Sequence, residues 1–121
     1  MMILSFTEQQ AEPIELFESV RASSAHLGDG EGEAHIYCVR FGPGVMLGEH
    51  PAGFGQLFLV VEGSGWVSGQ DGERVELHTG QGAYFAKDET HAKGSDVGMT
   101  AIMIQVMELQ PASVTDRSPE L

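Results

Sequence analysis

The stretch that decides the fold is Gln56-Leu57-Phe58-Leu59-Val60-Val61-Glu62-Gly63-Ser64-Gly65. Apolar side chains fill every position from Leu57 to Val61, which is typical of a strand that is covered on both faces. We expect the Gly63-Ser64-Gly65 segment to turn the chain, because glycine accepts the backbone angles that turns require. The stretch therefore predicts β-structure in the centre of the chain.

Outward from this stretch, short strand-like runs alternate with turns. The predicted strands are Ile14–Val20, Ser23–Leu27, Ala34–Phe41, Val45–His50, Gln56–Glu62, Trp66–Ser68, Arg74–His78, Ala83–Ala86 and Met99–Glu108. Residues 28–32, rich in glycine, are expected to form a hairpin loop. Thr7-Glu8-Gln9-Gln10 has the spacing of a capping box and predicts a short helical turn. Many short strands separated by turn residues predict an all-β antiparallel barrel or sandwich.

The length and composition agree with one small β domain. The chain has 121 residues and a mass of 13.0 kDa, which is enough for a single hydrophobic core. It contains 16 glycines, a density that argues against a helical bundle. We expect an N-terminal segment over residues 1–13, the barrel over 14–110, and a loose tail over 111–121.

The charge balance excludes some partners. The net charge at pH 7 is −12, so the chain is repelled by phosphate backbones and anionic lipid, and we expect neither a nucleic-acid nor a membrane partner. The longest apolar run is five residues, Leu57–Val61, far below what a membrane helix needs. The first six residues lack the basic and apolar regions of a signal peptide.

The single cysteine, Cys38, excludes an intrachain disulfide. A lone thiol fits a reducing compartment, so the sequence predicts a cytoplasmic protein. Cys38 lies in a strand-like run, and we expect it to be a small core residue rather than a nucleophile.

One motif surrounds the first of two histidines that lie at predicted strand–loop junctions. Gly44 is followed after five residues by His50, then by Gln56 and by Gly63. This layout resembles the first motif of the cupin family, in which a glycine precedes His-x-His, a glutamate and a second glycine. The chain departs from that motif twice, with Ala52 at the second histidine and Gln56 at the glutamate.

The second histidine, His91, lies eleven residues after Gly80. This spacing is similar to that of the second cupin motif, although Ala86 and Asp88 replace its proline and glycine, and Ser95 stands where an asparagine is frequent. The resemblance extends over residues 42–107. It implies a cupin-type β-barrel, also described as a double-stranded β-helix or jelly roll, and it implies a homodimer.

The resemblance also implies a ligand set in the barrel. In metal-binding cupins the motif histidines and the glutamate hold one divalent ion, and the corresponding residues here are His50, Gln56 and His91. Two imidazoles and one amide form a weak set without an anionic ligand, so the site holds either a divalent metal (Zn, Fe, Mn, Ni or Cu) or none. We expect these three residues and Met103 to line an apolar pocket for a small-molecule ligand.

Two hypotheses of function follow from this pocket. In the first, the chain binds a small organic ligand without chemistry; in the second, it is a metal-dependent enzyme of the oxygenase or isomerase type. A third option is acid–base catalysis by His50 or His91 without metal. Other polar and aromatic residues have simpler interpretations. We expect Glu49 and His26 to be solvated, His35 and His78 to be structural, and Trp66 and Phe54 to border either the barrel mouth or a dimer surface.

Overall fold

The computed structural model describes residues 1–112 of the chain. This part contains ten strands and one 3₁₀ turn. The strands are β1 (Met2–Ser5), β2 (Glu12–Pro13), β3 (Ser23–Ser24), β4 (Gly28–Phe41), β5 (Val45–Pro51), β6 (Gly55–Ser68), β7 (Arg74–His78), β8 (Gln81–Phe85), β9 (Thr90–Ser95) and β10 (Met99–Pro111), with the 3₁₀ turn at Glu8–Gln10. Every strand pairing is antiparallel. The all-β prediction is confirmed, and so is the capped turn after Thr7.

The long strand β6 joins the two halves of the barrel. Its first half pairs with β8 and β10, in a sheet of order β1-β8-β6-β10-β4. Its second half pairs with β7 and β9, and β5 pairs with β9. The turn predicted at Gly63-Ser64-Gly65 is wrong, because the strand bends there without ending. Gly63 has φ +77°, and a Cβ at this position would lie 2.3 Å from the carbonyl oxygen of Gly98, so only glycine fits the bend.

Side-chain alternation along β6 separates two apolar clusters. Phe58 and Val60 face the barrel interior, in an inner cluster that takes side chains from both halves: Phe41, Phe58, Val60, Val67, Leu77, Ala83, Phe85, Met99 and Ala101. Leu57 and Leu59 face the other way, in an outer cluster with Val106 and Leu109. Leu4, Phe6 and Leu27 of the N-terminal region pack against this outer cluster. The prediction that this run is covered on both faces is therefore confirmed for Leu57–Val60, which are buried. It is wrong for Val61, which is 44% exposed.

The N-terminal third departs from the predicted strands. β1 pairs with β8 and was not expected from the sequence. Residues 14–20 are not a strand, because φ is positive at Phe17, Glu18 and Arg21, which is incompatible with an extended backbone. Of the run Ser23–Leu27, only Ser23–Ser24 is paired.

The glycine-rich segment 28–32 is also different from its predicted form. It is the first part of β4 rather than a loop, and it pairs with the end of β10. Gly30 permits this approach, because a Cβ there would lie 2.7 Å from Cγ1 of Val106. The pairing carries β10 to Pro111, so the strand enters the predicted tail; residues 113–121 lie outside the described residues.

Cys38 is exposed, which corrects the prediction of a core residue. β4 is the last strand in the order of its sheet and pairs only with β10 within residues 1–112. Val39 and Phe41 point into the inner cluster, so Cys38 and Ile36 lie on the uncovered outer face, where Ile36 is 69% exposed. No helix within the described part is long and apolar enough to span a membrane.

Candidate functional site

Strand β9 places a row of polar side chains inside the barrel. His91, Lys93 and Ser95 alternate with Ala92 and Gly94, and the three polar residues are at most 1% exposed. Sequence reasoning placed His91 at the end of a loop and did not predict this strand. The alternation of β-structure puts residues 91, 93 and 95 on one face, so His91 and Lys93 share the same interior.

A bulge in β5 brings His50 to His91. Leu47 pairs with Lys93 and His50 pairs with His91, so β5 carries one more residue than β9 between the two pairs. As a result His50, and not Glu49, lies opposite His91. The two imidazole rings have centroids 4.5 Å apart and are inclined at 69°. The ring of His50 is exposed at the barrel mouth, whereas His91 is fully buried.

Gln56 lies on the interior face of β6, two residues before Phe58. Its side chain is 3% exposed, and its neighbours across the sheet are Phe85 on β8 and Gln105 on β10. Met103, two residues before Gln105, packs partly buried against the inner cluster. The structure thus places Gln56 opposite Phe85, whose ring centroid lies 4.5 Å from that of His91, and Met103 against the inner cluster that contains Phe85.

Within the described residues, three buried polar atoms of His91 and Gln56 form no well-oriented hydrogen bond. They are Nδ1 and Nε2 of His91 and Oε1 of Gln56. A buried polar atom without a partner costs about 1–3 kcal/mol, so such atoms call for an explanation. His50 differs, because its Nδ1 donates to the carbonyl oxygen of Gly48 over 2.7 Å. That bond leaves Nε2 of His50 with its lone pair free to accept.

Burial controls the charge of His91. Burial lowers the pKa of His91 from 6.5 to about 4, and the ammonium of Lys93 acts in the same direction, whereas the backbone and the carboxylate of Glu89 act against it. The imidazole is therefore neutral at physiological pH, with one N–H to donate and one lone pair to accept. A neutral imidazole is the form that binds metals and acts as a base.

The acid stability of the protein should report this pKa. The unfolded chain binds the proton of His91 near pH 6.5 and the folded chain only near pH 4, so the stabilisation is complete above pH 6.5 and is lost as the pH falls to about 4. We expect the free energy of unfolding of the wild type to fall by about 3 kcal/mol more than that of His91→Gln over this range. Urea unfolding at pH 7 and pH 4 measures it. The exposed variant His78→Gln serves as control and should follow the wild type; equal acid losses in wild type and His91→Gln would contradict the assignment.

Lys93 is the functional candidate that sequence reasoning missed. It is 1% exposed, and its Nζ lies 5.1 Å from the ring centroids of both Phe58 and Phe85. Burial lowers its pKa from 10.5 to about 8. The ring centroids of Phe85 and His91 are 4.5 Å apart, so the Phe85 ring contacts the imidazole of His91 and also lies near the ammonium of Lys93. Lysine is rarely buried, and the only signal in the sequence was its position two residues after His91.

The remaining candidates lie at the edges of this site or away from it. Ala52, at the place of the missing histidine, is buried and offers only a methyl group. His35 stacks on Phe54 with centroids 6.1 Å apart, and it lies on the row of β4 that continues to Val39. Ser95 donates to the carbonyl oxygen of Ser64 over 2.6 Å, a structural contact.

Three further residues lie outside the inner cluster. Trp66 alternates with the buried Val67 and has the guanidinium of Arg74 3.7 Å from its ring centroid, so its side chain points away from the inner cluster. His78 is exposed, with its side chain 65% accessible. His26 contacts the carbonyl oxygen of Gly28 and the carboxylate of Asp29, and its side chain is only 27% exposed, less solvated than expected.

Comparisons with known proteins agree with this architecture. One relative is an (R)-mandelonitrile lyase from Granulicella tundricola, 33% identical over 69 residues that make up 55% of this chain. The chain matches 53% of that protein, about half of its length. Among solved structures, an RmlC-like cupin from Methanocaldococcus jannaschii with a double-stranded β-helix fold aligns with TM-score 0.59 at 10% identity, covering 66% of this chain and 75% of that one.

A conserved protein of unknown function from Streptococcus pyogenes also aligns, with TM-score 0.58 and 14% identity over 69% of each chain. At these identities the solved structures support the fold alone. A family model described as Cupin matches residues 14–120, nearly the whole chain. With the two motif histidines brought together in an antiparallel barrel, the chain belongs to the cupin family.

Proposed function

We propose that this cupin binds a small organic ligand in the barrel interior, on His50, Gln56 and His91. The observation that carries the proposal is the fully buried imidazole of His91, whose ring nitrogens form no well-oriented hydrogen bond in the described part, together with the unbonded Oε1 of Gln56, which lies across the sheet from Phe85, a ring that contacts His91. A ligand that supplies partners to these atoms offsets their desolvation. A small-molecule site usually consists of an apolar wall with a small number of polar groups that point toward the ligand.

The polar atoms define what the ligand has to offer. Oε1 of Gln56 requires a donor, and the neutral imidazole of His91 offers one donor and one acceptor. A hydroxyl or carbonyl group on a compact carbon skeleton matches this set. Phe58, Phe85 and Met103 provide the apolar surface for the skeleton. The similarity to a mandelonitrile lyase supports a compact ligand that carries a hydroxyl group, as mandelonitrile does.

A thermal-shift series with compact hydroxy compounds tests this proposal. We expect at least one of mandelamide, lactamide and (R)-mandelonitrile to stabilise the wild type, by about 2.7 kcal/mol at 100 times its dissociation constant. His91→Phe replaces the imidazole with an aromatic ring that has no nitrogen atoms, so this variant should lose the shift. The exposed control His78→Ala should retain it. Equal shifts in wild type and His91→Phe, or no shift with any probe, would overturn the proposal.

A metal-dependent enzyme is the second candidate, favoured by the orientation of His50. Its Nδ1–H bond to Gly48 leaves Nε2 for a ligand bond, as in many metal-bound histidines. His50, His91 and Gln56 would supply a divalent ion with three neutral ligands and leave open positions for water or substrate. Residues 1–112 contain no cluster of three or more His, Cys, Asp or Glu that would hold a metal. Without a carboxylate, and with Lys93 on the same face, the set favours an organic ligand over a cation.

If a metal is bound there, it supplies Lewis-acid chemistry and activates water or a carbonyl. Elemental analysis of protein purified without chelator or nickel resin separates the candidates. Near-stoichiometric Mn, Fe, Zn, Ni or Cu that disappears in His50→Ala, with turnover of (R)-mandelonitrile, would favour the enzyme. Metal-free protein whose melting temperature is unchanged by added metals would eliminate it.

A further inference from the structure

The barrel interior holds a cation for which the described residues provide no counter-charge. Lys93 is 1% exposed. None of the ion pairs within residues 1–112 involves it, and no hydrogen bond to its Nζ is formed there. Its environment consists of the rings of Phe58 and Phe85, each 5.1 Å from Nζ. Two phenyl faces attract an ammonium but do not neutralise it, and buried charges in proteins are normally paired.

The polar groups around Lys93 do not supply the negative charge. The closest polar side chains on the same face, His91 and Ser95, are neutral acceptors or donors, and Gln56 is an amide. Glu89, near the start of β9, is engaged elsewhere, since its carboxylate accepts from the backbone N–H of Ala86 and contacts the N-terminal amine. Among residues 1–112, the buried polar groups that share this interior with the cation therefore carry no negative charge.

We propose that Lys93 is the anchor for a carboxylate, so that the ligand of the barrel interior is a small organic acid. This inference rests on the function proposed above and specifies the class of its ligand. The Phe85 ring adjoins both the imidazole of His91 and Nζ of Lys93, so a compact molecule is able to reach both groups. Its carboxylate accepts from Nζ, and a hydroxyl on the neighbouring carbon donates to Oε1 of Gln56 or pairs with His91.

The charge count favours a carboxylate over a phosphate. One ammonium balances one negative charge, and a phosphate monoester carries nearly two at neutral pH. A second negative charge would have no partner among the buried side chains of residues 1–112, and that would cost more than the single bond gains. A monoanion with two acceptor oxygens matches the three donors of one lysine.

Matched pairs of acids and amides test this proposal. The probes are (R)-mandelate with (R)-mandelamide and L-lactate with L-lactamide, which differ in charge and little in shape. Affinities are measured by calorimetry or by titration of the His91 ring signals in NMR, at constant ionic strength. We expect the acid of each pair to bind the wild type about tenfold or more tightly than its amide. Lys93→Met should remove this preference, lowering the affinity for the acid much more than that for the amide, and Lys93→Arg should retain part of it. The exposed variant Lys87→Met is the matched control and should behave as the wild type.

The outcomes separate this proposal from the function on which it rests. Amides that bind with the dependence on His91 described above, together with acids that bind no better, would overturn the role of Lys93 and leave the small-molecule site standing. A preference for acids that persists in Lys93→Met would also overturn it. If no probe binds the wild type, both proposals fail together.

Discussion

Replacing Lys93 with methionine should make the unliganded protein more stable, raising the free energy of unfolding at pH 7 by about 2 kcal/mol. Burial lowers the pKa of this amine from 10.5 to about 8, so the folded state holds the proton less tightly than the unfolded chain does. A shift of this size is equivalent to a cost of about 3 kcal/mol, and the two aromatic rings near Nζ return about 1 kcal/mol of it. Methionine has a similar length and brings no charge into the interior.

The difference in stability between Lys93→Met and the wild type should depend on pH. Below pH 8 the amine is protonated in both states, and the cost of its burial is complete. Between pH 8 and 10.5 the folded state loses the proton first, so the stability of the wild type rises toward that of Lys93→Met. Guanidinium unfolding at pH 7 and pH 10 measures both effects, with the exposed Lys87→Met as control. A variant less stable than wild type at pH 7 would mean that the amine makes a stabilising contact. A gain in stability with a loss of acid binding would be the usual exchange between stability and function.

Phe58→Ala should lower the free energy of unfolding by about 3–5 kcal/mol, the largest loss that we expect from a single apolar residue here. Phe58 is completely buried in the inner cluster and meets the ring of Phe41 edge-on, with centroids 6.1 Å apart. Truncation leaves a cavity and removes this aromatic pair. The substitution also removes one of the two aromatic rings that lie near Nζ of Lys93.

Guanidinium unfolding monitored by fluorescence and circular dichroism measures this loss as a shift of the midpoint. Phe58→Leu keeps most of the volume and should cost much less, about 1 kcal/mol, which keeps the prediction testable if the alanine variant does not fold. Phe17→Ala is the exposed control, since Phe17 is 77% exposed, and should change stability by less than about 0.5 kcal/mol. A loss below about 1.5 kcal/mol in Phe58→Ala would contradict the placement of this ring in the core.

The strands at the centre of the chain were predictable because their patterns are local. The apolar run in β6 and the hairpin of Trp66–Ser68 with Arg74–His78 appear in the structure as expected. The glycine-rich start of β4 was not predictable in this way, because its polar residues resemble a loop until β10 supplies hydrogen-bond partners. Residues 14–20 show the opposite case, in which apolar residues without a partner strand adopt turns.

The residues of the candidate site also differ in whether a local sequence pattern could reveal them. His50, Gln56 and His91 were found from motif spacing, and the structure brings the rings of His50 and His91 to 4.5 Å. Their roles as ligands remain predictions. Lys93 was not found, because β9 has too few apolar residues to be recognised as a strand, and a lysine in a polar segment is expected in solvent. The bulge that selects His50 over Glu49 depends on pairing between distant segments, which no local pattern specifies.

Within the described residues, the edge of β4 presents backbone N–H and C=O groups to a further strand. Within residues 1–112 this fourteen-residue strand has a neighbour on one side only, and its apolar side chains Ile36 and Tyr37 are exposed. Its His35 stacks on Phe54, in the loop that follows His50. A strand from another molecule added to this edge would bear on that stack and, through the loop, on the mouth of the barrel. If pairing at this edge moved that loop, occupancy of the edge and occupancy of the interior would be thermodynamically linked, each changing the affinity of the other by the same factor.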